Sequence, residues 1–262
     1  MKQRTLTGIV LALAAMALLG SFHLPWVPQL TAIVLGCGAV WELLDIHHLT
    51  KKGCLIPGFA LAVMIPLFSF TENKWWVLAV LLGGLCFFTY LMSQIGKEEP
   101  KAWMIGAEIF FTLSLFRAIA SYGDIPYGAF YLCLTGLVCA LTDIFAYLVG
   151  SRFGRHKLAP KVSPGKSIEG AIGGLVVAVT LLLLVFGRFF ADNFGLALYL
   201  AVVSLLGQFG DLSMSAVKRV AGVKDFGKIF PGHGGILDRC DSLIYPLSFT
   251  WLLFCFKIWI FA

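Results

Sequence analysis

The feature that most narrows what this chain can fold into is its set of long apolar runs with no polar alternation inside them. Residues 170–187, GAIGGLVVAVTLLLLVFG, carry no charged side chain, and the roughly 30 Å hydrocarbon core of a bilayer takes about 20 such residues wound as a helix. About nine runs of this kind can be marked, with cores at 6–22, 26–46, 54–70, 75–95, 102–120, 126–149, 169–191, 195–216 and 242–261. Of the 262 residues 59% are hydrophobic and 13% charged, with a mean hydropathy of +0.89. One water-soluble core cannot hide that much apolar surface, so the bilayer is the main solvent. The runs are continuous rather than alternating, and an open sheet edge in lipid has no water to satisfy it, so strands are not expected. The expectation is an all-α, polytopic integral membrane protein with a single membrane domain over 1–262. Its helices within 1–122 precede a half, 123–262, that holds the longer polar loops. The run at 6–22 follows Lys2 and Arg4 and lacks a small-x-small cleavage pattern, so it reads as a retained helix.

Basic residues give the orientation. With the N-terminus in the cytoplasm, all of the 20 Lys and Arg except Lys74, Arg117, Arg188 and Lys257 fall on that side. Two inner loops, 151–167 and 217–241, are long and dense in Gly, Pro, Lys, Arg and His, whereas outer ones such as 71–74 and 192–195 are short. The net charge of +6 sits beside the spans, where anionic headgroups and phosphate substrates are its natural partners rather than nucleic acid. The seven cysteines form no Cys-x-x-Cys pair and read as packing residues. Glycines such as those within 170–174 read as sites of close helix packing.

Carboxylates within spans are functional suspects because burying their charge is costly. Glu42 and Asp45 lie near the cytoplasmic end of their run, where they can reach interfacial water, while Glu108 lies deeper and calls for a polar neighbour. Asp143, Tyr147 and Gly150 share one helix face shortly before the first basic loop. That loop brings Lys166 and Ser167 to the start of the next helix, a place suited either to a phosphate or to plain N-capping. The Gly-x4-Gly-Lys-Ser/Thr spacing of a Walker loop is absent. At the cytoplasmic end of the run at 195–216 Asp211, Ser215 and Lys218 share a face, and after the turn Asp238 and Asp241 follow at i, i+3 at the start of the last run. Hard oxygen ligands from two helix ends suit Mg²⁺. Lys218, Arg219, Lys224, Lys228, His233 and Arg239 supply positive charge between them, and Gly234 and Gly235 allow close backbone approach to a ligand. The set is what metal-assisted phosphoryl or nucleotidyl transfer needs.

The segment Ser215-Ala-Val-Lys-Arg, then Lys224-Asp225-Phe-Gly, then Pro231-Gly-His-Gly-Gly-Ile-Leu-Asp-Arg-Cys-Asp241 resembles the signature of the phosphatidate cytidylyltransferase (CDP-diacylglycerol synthase) family. Residues 143–150 and 163–174 are similar to that family as well, so the likeness covers about the second half of the chain. Cys240 stands where members usually carry an aliphatic residue or threonine, and Met214 where many bacterial members carry an acid.

The resemblance implies the reaction of CTP with phosphatidate to give CDP-diacylglycerol and diphosphate, and the short loops with no targeting extension point to a bacterial plasma membrane, with the basic loops at its cytoplasmic face. The resemblance also implies Mg²⁺ on Asp211 and Asp238, with Asp143 and Asp241 in or next to the coordination sphere, and it admits a second cation such as K⁺ and a homodimer. Lys218, Arg219, Lys224 and Arg239 are expected on phosphates, and Lys166 and Ser167 on a phosphate from the other loop. Ser215, Asp225, Gly234 and Gly235 are expected in substrate binding, and His233 is expected to orient by hydrogen bonding. A polyprenol kinase, another CTP-using lipid enzyme, is separated from this reading only by the signature. A cation-coupled transporter would place its sites near the midplane in repeated halves, whereas the charges here gather at one face of the C-terminal half.

Overall fold

The structure is a computed structural model that describes residues 13, 16–22, 24, 26–50, 56, 58, 60–62, 74–96, 101–190, 192–230, 232 and 234–258. Its long helices are α1 (Trp26–Ile46), α2 (Lys74–Gln94), α3 (Ala102–Ser121), α4 (Gly128–Phe153), α5 (Ile168–Phe186) and α6 (Asn193–Val220). Between α4 and α5 lie β1 (Lys157–Ala159) and β2 (Ser163–Ser167), and after α6 come the single turn α7 (Leu237–Cys240) and α8 (Ile244–Cys255). Among the described residues six helices, α3 and α5 extended by single 3-10 turns, are long and apolar enough to cross a membrane. The chain is therefore a mostly helical, polytopic membrane protein. The expected runs at 6–22 and 54–70 fall largely outside the described residues.

Two expectations change. The run at 242–261 is long enough in sequence for one full span, but its helix is the 12-residue α8, about 18 Å long at 1.5 Å per residue. Residues 241–243 are a turn, and the helix ends at Cys255, with Phe256 as its cap and Lys257 beyond it at φ 57°. Strands were not expected, yet β1 and β2 pair antiparallel, with Lys157 opposite Ser167 and Ala159 opposite Ser163. The argument against strands concerns lipid, and this segment lies beyond the ends of α4 and α5, where a hairpin can satisfy its own backbone.

One apolar core joins α1, α2 and α3 to α8 and the end of α6, and a second lies among α4, α5 and α6. Helices α4 and α5 pack most intimately. A Cβ added at Gly174 would stand 2.5 Å from the Thr142 carbonyl oxygen, and one at Gly170 would stand 2.6 Å from that of Ala146. Only glycine lets the two backbones come so near. Small hydroxyls join the remaining helices. Tyr199 OH lies 3.0 Å from both Thr135 Oγ1 and Thr250 Oγ1, and Thr142 Oγ1 lies 2.9 Å from Ser204 Oγ.

The intramembrane acids separate by environment. Asp45 is exposed, as expected, and Glu108 is fully buried with Oε2 2.8 Å from His47 Nε2. Glu42, expected at interfacial water, is instead fully buried, because the chain that enters α7 folds over it.

Candidate functional site

The C-terminal end of α4, the N-terminal end of α5 and the C-terminal end of α6 lie together, and the two long polar segments fold over them. The first is ordered by Glu169 in the first turn of α5. Its Oε2 accepts from Arg155 N at 3.0 Å, and its Oε1 accepts from His156 N at 3.2 Å and lies 2.6 Å from His156 Nδ1. Ser167 Oγ accepts from Gly170 N at 3.1 Å and so caps α5. Strand β2 thus runs straight into α5 and delivers Lys166, whose Nζ pairs with Asp211 Oδ2.

The second segment leaves α6 through a Schellman turn. Gly222 takes φ 72°, its N–H donates to Arg219 O, and Val223 N donates to Lys218 O at 2.8 Å. Arg219 Nε donates to Val162 O at 3.2 Å and its Nη1 to Val223 O at 3.1 Å. That guanidinium ties the hairpin turn to the end of α6.

A cavity of about 700 Å³ lies between these elements, a volume in the range of small-molecule sites. Down one side runs a face of α4 made of Gly136, Ala140, Asp143, Tyr147 and Gly150. The other walls include Lys166, Ser167, Gln208, Asp211, Asp238, Arg239 and Asp241. All four aspartates that the sequence singles out therefore reach one cavity, with Lys166 and Arg239 beside them.

They reach it under different constraints. Asp238 Oδ1 accepts from Lys218 Nζ at 2.8 Å, and its Oδ2 accepts from the N–H groups of Phe226 and Gly235, both at 2.9 Å. This pair is nearly closed off, at 10% side-chain exposure for Lys218 and 5% for Asp238. The Lys166–Asp211 pair remains accessible, at 28% and 24%. Ser215 Oγ donates to Asp211 Oδ1 at 3.4 Å. Asp241 Oδ1 accepts from Ser242 N at 2.8 Å. Burial, then the charge of Asp211 and to a smaller extent that of Asp143, push the Asp241 carboxyl up to about 7, against the pull of Lys218. Among the described residues no three His, Cys, Asp or Glu side chains already form a cage for a metal ion. The acids are walls of a cavity that a ligand would complete.

The other expected site residues stand elsewhere. Lys218, Arg219, Ser215, Gly234 and Gly235 are not in the cavity wall. Lys218, Gly235 and Ser215 hold its aspartates, Arg219 joins two segments, and the Gly234 carbonyl accepts from Phe230 N at 2.9 Å. Lys224 and Asp225 are exposed on the turn after α6. His233 lies outside the described residues. Sequence reasoning did not mark Gln208, whose Nε2 donates to Ala171 O at 3.3 Å, or Gly136. Gly136 continues the α4 face upstream of Asp143 at i−7, a signal that was available.

A model of the cytidylyltransferase family matches residues 2–256. A phosphatidate cytidylyltransferase of Staphylococcus haemolyticus is 35% identical over 260 residues, covering 94% of this chain and 96% of the relative. Proteins of the same name from Staphylococcus epidermidis and Staphylococcus aureus are each 34% identical over the same shares of both chains.

Proposed function

Since this chain belongs to the cytidylyltransferase family, we propose that its four-aspartate cavity is where CTP and phosphatidate are joined. The enzyme is a nucleotidyltransferase of phospholipid biosynthesis in the cell membrane. It converts CTP and phosphatidate to CDP-diacylglycerol and diphosphate. A phosphate oxygen of phosphatidate attacks the α-phosphorus of CTP. One P–O bond forms, the bond from that phosphorus to the α,β-bridging oxygen breaks, and diphosphate leaves with the electron pair. The nucleophile is already an anion, so the protein is not asked for a strong base. What it must overcome is repulsion between two phosphate groups. The observation that carries this reading is the arrival of Asp143, Asp211, Asp238 and Asp241 with Lys166 and Arg239 at one cavity.

The donor set is all hard oxygen, as Mg²⁺ prefers, and crowded acids such as Asp241 and Asp211 are stabilised by a divalent cation. Bound there, Mg²⁺ would neutralise triphosphate charge and favour in-line displacement. Asp211, Asp143 and Asp241 have acceptor capacity to offer. Asp238 uses three of the four lone-pair positions of a carboxylate, leaving one on Oδ1. Lys166 and Arg239 take phosphate oxygens. Lys218 holds Asp238, while Ser167 and Arg219 keep the hairpin in place. The acyl chains stay in the bilayer, and the cavity opens at the cytoplasmic face, as the distribution of Lys and Arg favours.

Purified protein in detergent, given phosphatidate and CTP, tests the reaction. Label at the α-phosphate of CTP should enter lipid and γ-label should leave as diphosphate. γ-Label in the lipid would identify a lipid kinase instead.

A further inference from the structure

We infer that Glu42, on α1 in the N-terminal half, is a positioning residue for this reaction: it clamps the turn before α7 and thereby fixes the direction in which Asp238 faces the cavity. The inference rests on the reaction proposed above. Glu42 is fully buried, with Oε1 accepting from Ile236 N at 2.7 Å and Oε2 from Leu237 N at 2.9 Å. The preceding N–H, of Gly235, donates to Asp238 Oδ2. Three consecutive backbone donors are therefore divided between two carboxylates. One of these carboxylates is anchored in another helix, and the other lines the cavity.

Space around the clamp is as restricted as its hydrogen bonds. A Cβ at Gly227 would stand 2.7 Å from Glu42 Oε1, and one at Gly235 would overlap the carboxylate outright. The segment on either side of Phe226 and Gly235, the two residues whose N–H groups hold Asp238 Oδ2, is thus pressed onto Glu42. Moving the clamp moves the donors that aim Asp238. A reacting group displaced by about 1 Å can cost roughly 100-fold in rate.

Glu42→Gln is the informative substitution. It keeps the length and volume, but its amide group turns N–H toward a backbone N–H, so one of the two amides loses its acceptor. In the detergent-purified full chain, kcat for α-label transfer should fall roughly 10- to 100-fold while KM for phosphatidate stays near wild type. Hydrogen–deuterium exchange should rise in peptides covering 224–241 and nowhere else. Glu42→Asp, which retains both acceptor oxygens one methylene short, should fall between wild type and Glu42→Gln on both measures. It is the variant to measure if Glu42→Gln is not recovered monodisperse.

Wild-type kcat and wild-type exchange in Glu42→Gln would overturn the inference. So would exchange that rises throughout the protein, since Glu42 would then support the whole core rather than the turn. The exchange measurement does not depend on turnover. A wild type without transfer whose 235–237 amides are protected, and freed in Glu42→Gln, would reject the reaction and keep the clamp.

Discussion

Asp211 and Asp238 bring the same side chain to one cavity with different consequences for substitution. In the proposed reaction Asn at either position removes charge where the phosphates and Mg²⁺ would meet, so both variants should lose nearly all transfer. Only Asp238→Asn should also unfold the protein more easily, because it leaves Lys218 nearly buried without its counter-charge, a change that costs about 3–5 kcal/mol. Asp211→Asn breaks an accessible pair and should shift stability by less than about 1 kcal/mol. Thermal unfolding in detergent beside the label-transfer assay separates the two, and equal destabilisation would contradict these environments. Lys166→Met should have effects of opposite sign: tighter Mn²⁺ binding to the free enzyme by calorimetry, since Asp211 loses a competing cation, and weaker use of CTP. The i, i+3 spacing of Asp238 and Asp241 was legible in the sequence, as was the shared face of Asp143, Tyr147 and Gly150. Which carboxylate oxygens were already occupied was not, because Phe226 N and Gly235 N reach Asp238 only through the fold of the turn.

At the scale of elements, the α4–α5 contact is the tightest joint near the site. Gly174→Ala places a methyl against the Thr142 carbonyl, and such overpacking should cost about 1–3 kcal/mol, read as a lower unfolding temperature with reduced transfer. Ser167→Ala removes the cap of α5 and should cost about 1 kcal/mol by the same measurement. Continuous apolar runs placed the long helices well: the run at 26–46 is α1, and those at 75–95 and 102–120 match α2 and α3 within a residue or so. Such runs say nothing useful about 155–167, since a polar segment outside the bilayer is shaped by hydrogen bonds such as those to Glu169 rather than by apolar pattern. They also overextended the last helix, because the residues after Cys255 are apolar apart from Lys257, while α8 ends at Cys255.

For the whole molecule, α6 is 28 residues long, about 42 Å at helical rise, with Asp192 capping one end and Lys218 in the last turn at the other. Cysteines placed at 161 and 228 should therefore react with an impermeant reagent only from the cytoplasmic side, and one at 192 only from outside. Labelling of 161 or 228 on intact cells would reverse the orientation. The charge distribution gives this orientation as an expectation for the labelling to decide, whereas the joining of the two halves has no signal in the sequence, since Glu42 and Leu237 lie 195 positions apart in the chain. That separation also sets a schedule for biosynthesis. At roughly 5–20 residues per second, α1 is made about 10–40 s before the amides that satisfy its carboxylate leave the ribosome. Throughout that interval Glu42 is without the two backbone donors that hold it in the finished fold.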